Sequence, residues 1–92
     1  MTSVVVTIKI MPNKPDIELS KIEAEAKKEI VDFCHSKEFK TQIDPIAFGL
    51  KALNILFVMD ESKGSTEALE KKISEIEGVE SVEVTDVRRA IG

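Results

Sequence analysis

Near the start of the chain the apolar positions Val4, Val6, Ile8 and Ile10 recur every second residue, among further β-branched side chains. A period of two lines those side chains along one face of an extended backbone, so residues 3–11 are predicted to form a strand, central in its sheet. Pro12, Asn13 and Pro15 interrupt it. The period then changes: Leu19, Ile22, Ala26, Ile30 and Phe33 follow at spacings of three and four, which places them on one stripe of an amphipathic helix over residues 16–35. Asp16, or Ser20 with Glu23 completing a capping box, is the expected start, and Glu23 with Lys27 forms a supporting pair one turn apart.

Residues 39–48 alternate weakly, with Phe39, Thr41 and Ile43 set against polar neighbours, and Pro45 cannot donate to a ladder on both sides. An edge strand is predicted there. Beyond Gly49, the run from Leu53 to Met59 is apolar at nearly every position, the pattern of a strand buried on both faces. A polar stretch over residues 60–64 leads to Ser65 or Thr66 as a helix cap, then Leu69, Ile73 and Ile76 at helical spacing, then Gly78 as a stop. Val82 and Val84 open a last strand. The apolar phase there slips to Val87 and Ile91, which predicts a bulge or an irregular tail beginning near Thr85 or Asp86.

Strand, helix, strand, strand, helix, strand, joined by right-handed crossovers, gives an α+β fold: a ferredoxin-like βαββαβ plait with a four-stranded antiparallel sheet and both helices on one face. Ninety-two residues are expected to make a single domain over residues 1–92. That topology supports many unrelated activities, so function has to be sought in particular residues.

Composition removes several classes. The single cysteine, Cys34, forbids an internal disulfide and fits a reducing, cytoplasmic setting. No apolar run approaches the roughly 20 residues needed to span a bilayer, and no leader pattern precedes the first strand, so no membrane role is expected. A net charge of −4 disfavours bulk electrostatic binding to nucleic acid. A metal-carrier plait needs paired cysteines after its first strand, where this chain has Pro12-Asn13-Lys14-Pro15. An RNA-recognition plait needs stacking aromatics on its central strands, and the first strand has none. The four glycines are scattered at 49, 64, 78 and 92, so there is no phosphate-cradling loop, and neither cofactor nor metal is expected. Cys34 and His35 are adjacent, which on a helix turns them about 100° apart, so they are not a nucleophile and its base.

Two segments stand out. Asp44-Pro45-Ile46-Ala47-Phe48-Gly49-Leu50 puts large apolar side chains where a connecting loop is normally polar. Either Ile46 and Phe48 plug the end of the core, or Phe48 is an exposed anchor for a partner. Arg88 and Arg89, the only arginines, close Asp86-Val87-Arg88-Arg89 near the C-terminus, either as solvated charges or as contacts for acidic groups.

At these segments the sequence resembles the archaeal elongation factor 1-beta family of guanine-nucleotide-exchange factors. The likeness is carried by the run from Val4 to Pro12, by Asp44-Pro45-Ile46-Ala47-Phe48-Gly49-Leu50-Lys51-Ala52-Leu53-Asn54, by Ile76-Glu77-Gly78-Val79, and by Val84-Thr85-Asp86-Val87-Arg88-Arg89. The middle segment is the most specific. The resemblance implies a ferredoxin-like domain that binds the GTPase elongation factor 1-alpha, promotes release of GDP and lets GTP load, without cleaving any bond. It implies that Phe48 packs into an apolar pocket of the GTPase, that Ile46 and Gly49 shape the presenting loop, that Lys51 is a basic position following the glycine, and that Arg88 and Arg89 either contact acidic groups of the GTPase or fix the last strand through carboxylates within the domain. Eukaryotic relatives use a lysine close to the C-terminus to disturb the magnesium site. The corresponding position here lies near Gly92 and is not lysine. A regulatory plait binding a small metabolite is the alternative class, and an RNA-associated accessory domain using Lys51, Arg88 and Arg89 is a third.

Overall fold

The computed structural model describes residues 3–36 and 38–89. Its elements run β1 (Ser3–Pro12), α1 (Leu19–Cys34), β2 (Phe39–Pro45), β3 (Lys51–Asp60), α2 (Glu67–Ser74) and β4 (Val79–Arg89), with short 3-10 turns at Ala47–Gly49 and Glu61–Lys63. The four strands form one antiparallel sheet in the order β2-β3-β1-β4, the ferredoxin-like plait that the alternation of periods predicts.

Register explains why the core forms. Val4, Val6, Ile8 and Ile10 of β1 lie opposite Met59, Phe57, Ile55 and Leu53 of β3, so the period-two stripes of the two central strands share one face. Ile22, Ala26 and Ile30 of α1 and Leu69 and Ile73 of α2 close over that face, and all of these residues are buried. Each large aliphatic or aromatic side chain so buried stabilises the fold by about 1.5–3 kcal/mol. The other face carries Val5, Thr7, Lys9, Asn54, Leu56 and Val58, half-buried and uncovered by any helix.

The start of α1 differs from its prediction. It begins at Leu19, with Glu18 in the cap position and no side-chain cap, so neither Asp16 nor Ser20 caps it. Ile17 decides this. Its side chain packs against the core, and its methyl carbons fill the space where a Cβ on Gly78 would come within 3.2 Å. That anchoring keeps residues 13–18 in a connecting loop, an instance of tertiary packing overriding local preference. The predicted Lys27–Glu23 pair is present at 3.0 Å.

At α2 Thr66 takes the cap position without a side-chain cap bond, its hydroxyl donating to Glu70 Oε2 at 3.0 Å, while Ser65 Oγ accepts the Glu67 N–H at 3.1 Å. The predicted bulge falls on Thr85. Val84 pairs with Ile8 and Asp86 with Thr7, leaving Thr85 as the extra residue. The bulge returns Val87, opposite Val6, to the face already held by Val82 and Val84, which is what the slip of apolar phase encodes. Ile91 and Gly92 lie outside the described residues.

Candidate functional site

β2 stops at Pro45, shorter than predicted, and residues 46–50 form the hairpin loop into β3. Ile46 N–H donates to the Leu50 carbonyl at 2.7 Å and Leu50 N–H donates to the Ala47 carbonyl at 3.3 Å, closing the loop on itself. Inside it, Phe48 has φ 63° and ψ 31°, and Gly49 has φ 78°. Two successive residues are thus left-handed. Glycine adopts this freely, whereas a residue with a side chain loses about 1–2 kcal/mol there. A Cβ on Gly49 would sit 3.7 Å from the Pro15 Cβ, an ordinary contact, so backbone conformation and not space calls for glycine.

The turn drives the Phe48 side chain outward, where it is 95% exposed. The core-plug reading of this segment therefore fails: the core is already closed by Phe57, and Phe33 and Phe39 pack against it. Ile46 is 38% and Ile43 51% exposed, so this end of the hairpin presents several apolar side chains to solvent, with Lys51 exposed beside them. A shallow groove of about 310 Å³ lined by Pro12, Pro15, Ile17, Glu18, Leu19, Ile43 and Lys51 shares Ile43 and Lys51 with this end of the hairpin. At the base of the hairpin, Asn54 Nδ2 donates to Asp44 Oδ2 at 2.6 Å and Gln42 Nε2 donates to Asp44 Oδ1 at 3.2 Å.

The arginines stand elsewhere. Arg88 and Arg89 pair with Val5 and Val4 of β1, at the end of the sheet where β3 reaches Met59. Eight steps along β3 separate Lys51 from Met59, about 26 Å at the rise of a strand. The structure thus groups Ile46, Phe48, Gly49 and Lys51 at one end of a molecule 42 Å long and puts Arg88 and Arg89 at the other. Arg88 Nε lies 2.8 Å from Asp86 Oδ2, and Arg89 Nη2 lies 3.4 Å from Glu61 Oε1, with both guanidinium groups largely exposed. Exposed pairs of this kind stabilise by about 0–1 kcal/mol, so either cation can exchange its carboxylate for one on a partner at little cost.

Alternative chemistry finds little support in the geometry. A cleft of about 410 Å³ where α1 faces the end of α2 is open and lined mostly by charged side chains, Glu25, Lys28, Glu29, Asp32, Lys72, Glu75 and Glu77, unlike the apolar concave pockets that take metabolites. The half-buried Cys34 thiol donates to the Ile30 carbonyl at 3.3 Å, and burial pushes its pKa up, away from the thiolate a nucleophile needs. Among the described residues no three His, Cys, Asp or Glu side chains converge as metal ligands, and no helix is long and apolar enough to cross a membrane.

Sequence reasoning passed over Asn54 and Ile43. A polar Asn54 inside an otherwise apolar strand was the available signal for the first. Nothing local marked the second, because exposure of an edge-strand residue depends on what packs over it.

Several known proteins resemble this chain. The chain is 46% identical over 89 residues to elongation factor 1-beta of Methanothermobacter thermautotrophicus, an alignment spanning 97% of this chain and 98% of that protein. It is 39% identical over 89 residues to the same factor of Methanobrevibacter smithii, with the same coverage. The factor of Staphylothermus marinus is 38% identical over 90 residues, covering 97% of this chain and 98% of its own. Among solved structures, the BlrP1 BLUF protein superposes with a TM-score of 0.54 at 12% identity, over 98% of this chain and 56% of that one, a likeness of fold alone. The profile of the EF-1 guanine nucleotide exchange domain matches residues 5–90, and the chain belongs to that elongation factor 1-beta family.

Proposed function

We propose that this domain promotes GDP release and GTP loading on elongation factor 1-alpha, with Phe48 as the wedge it inserts into the GTPase. The observation that carries the reading is a phenylalanine 95% exposed on a left-handed turn, in a chain whose other phenylalanines pack in or against the core. Holding an aromatic ring in water on a strained backbone brings the isolated domain no stability. A partner's apolar pocket supplies the missing burial, as anchor residues do at interfaces.

Exchange needs no covalent step. Factor and nucleotide must weaken each other's binding to the GTPase reciprocally, so the factor has to bind an opened, nucleotide-poor form better than the closed one. Every tenfold acceleration asks for about 1.4 kcal/mol of such preference. A pocket that exists only in the opened form, filled by Phe48 with Ile46 at its rim, provides a preference of that kind. Lys51 beside the tip, and Arg88 and Arg89 at the far end, contribute cationic contacts to acidic groups of the GTPase, which act on the rate of encounter more than on the opened state.

The test is release of a fluorescent GDP analogue from archaeal elongation factor 1-alpha with wild-type domain and with Phe48→Ala. The variant is expected to keep its melting temperature and to lose at least about tenfold in acceleration, the scale of a central anchor. A folded Phe48→Ala protein that exchanges at the wild-type rate would remove the wedge. No acceleration by the wild type with its cognate partner, at any magnesium concentration, would remove the exchange function itself.

A further inference from the structure

The loop that presents Phe48 has little to hold it. It follows an edge strand whose only neighbour among the described residues is β3, and none of residues 46–50 is buried. The last pair before the loop joins Pro45 to Lys51, and the bond from the Ile46 N–H to the Leu50 carbonyl closes the ladder just beyond it, so the N–H that proline lacks is an outward-facing one of the edge strand. The end of a strand paired on one side alone is prone to fray.

A side-chain bridge reinforces this end of the ladder. Asp44 stands opposite Ala52, and Gln42 opposite Asn54, so the Asn54-to-Asp44 bond of 2.6 Å runs diagonally across the β2–β3 ladder one residue before the proline. Gln42 engages the other carboxylate oxygen, so both oxygens of Asp44 have a donor. Bonds from an amide to an ionised carboxylate are stronger than neutral ones, and this one joins half-buried groups.

We infer that Asp44 and Asn54 are positioning residues for Phe48: their carboxylate–amide bridge pins the end of β2 to β3 and sets the direction in which the ring is presented. The inference rests on the exchange reading above. A loop already fixed loses less freedom on binding, so the bridge lowers the concentration of factor needed and leaves the opened state of the GTPase as it is. Its removal therefore changes the half-saturating concentration and not the maximal rate.

Asn54→Asp sets two carboxylates against each other with almost no change of shape. The double variant Asp44→Asn/Asn54→Asp restores the bridge with donor and acceptor exchanged. GDP-analogue release from elongation factor 1-alpha is measured across factor concentrations for wild type, both variants and Phe48→Ala, and hydrogen exchange of the Ile46 amide is measured in the free domain. Asn54→Asp is expected to raise the half-saturating concentration about five- to tenfold at an unchanged maximal rate, and the double variant to recover to within about twofold. Ile46 exchange is expected to quicken in the single variant and slow again in the double. Should Asn54→Asp melt too low to assay, Asn54→Ala removes the donor without adding a charge, with the same expectation. Wild-type half-saturation in a bridge-broken variant, or a double variant no better than the single one, overturns the positioning role, while a deficient Phe48→Ala in the same experiment leaves the exchange reading standing. A fully active Phe48→Ala removes that reading and this inference with it.

Discussion

Each end of the sheet carries one non-glycine residue in the left-handed region, and the two use it for opposite ends. His35, φ 57°, closes α1, where its N–H donates to the Val31 carbonyl at 2.8 Å. Phe48, φ 63°, closes nothing in the core and aims its ring at solvent. At His35 the strain is offset by a helix stop that glycine would perform better. At Phe48 the same strain has no return within the domain, which makes the side chain the reason for the conformation. The surroundings differ in kind as well: the Phe48 end is apolar and anchored by an amide–carboxylate bridge, while the Arg88 and Arg89 end is a set of exposed ion pairs. Shape and burial dominate the first, charge the second.

The sharpest way to break this comparison is to put glycine at both left-handed positions. Phe48→Gly is expected to abolish most of the acceleration of GDP release, at least about tenfold, while gaining up to about 1 kcal/mol of stability in chemical denaturation. His35→Gly is expected to gain a similar about 0.5–1 kcal/mol and to leave exchange untouched. Equal functional loss in both variants would mean that neither end is distinguished by its side chain.

Deleting Thr85 tests whether the bulge matters for the charged end. Without it the ladder closes up with Asp86, Val87, Arg88 and Arg89 still opposite Thr7, Val6, Val5 and Val4, so each keeps its face and the domain is expected to change in stability by less than about 1 kcal/mol in chemical denaturation. A larger loss would show that the local twist of the bulge, and not only the register it restores, holds the last rungs of β4. Replacing Arg88 and Arg89 together by alanine is expected to alter stability by less than about 0.5 kcal/mol and to slow exchange about two- to fivefold, with a flatter dependence on salt. A loss as large as that of Phe48→Ala would instead make the two ends equal partners.

The smallest effect concerns Asp60, beside the arginine end. The Ser62 N–H donates to its Oδ1 at 2.8 Å, which holds this carboxyl below its usual range. A lowered carboxyl pKa contributes stability above the unfolded value of about 3.9, lost as pH falls through the native one. The gap in melting temperature between wild type and Asp60→Ala is thus expected to close between about pH 5 and about pH 2.

Much of this molecule was legible in one dimension. Alternation at Val4 to Ile10 and helical spacing from Leu19 to Phe33 are local consequences of backbone period, and the slip from Val84 to Val87 announced the bulge because a strand can keep one face only by adding a residue. Pro45 and Gly49 likewise marked the turn and the shortened edge strand through their own dihedral limits. Packing decided the rest. Whether Phe48 plugged the core or stood in water could not be read from its neighbours in sequence, since burial depends on which element covers a position, and Phe57 had already filled the space. The start of α1 was set by Ile17 reaching the core near Gly78, a contact across some sixty residues of chain. Nor did the sequence say that the Phe48 tip and the two arginines lie at opposite ends of the sheet, because antiparallel register turns distance along the chain into distance in space only once the strands have paired.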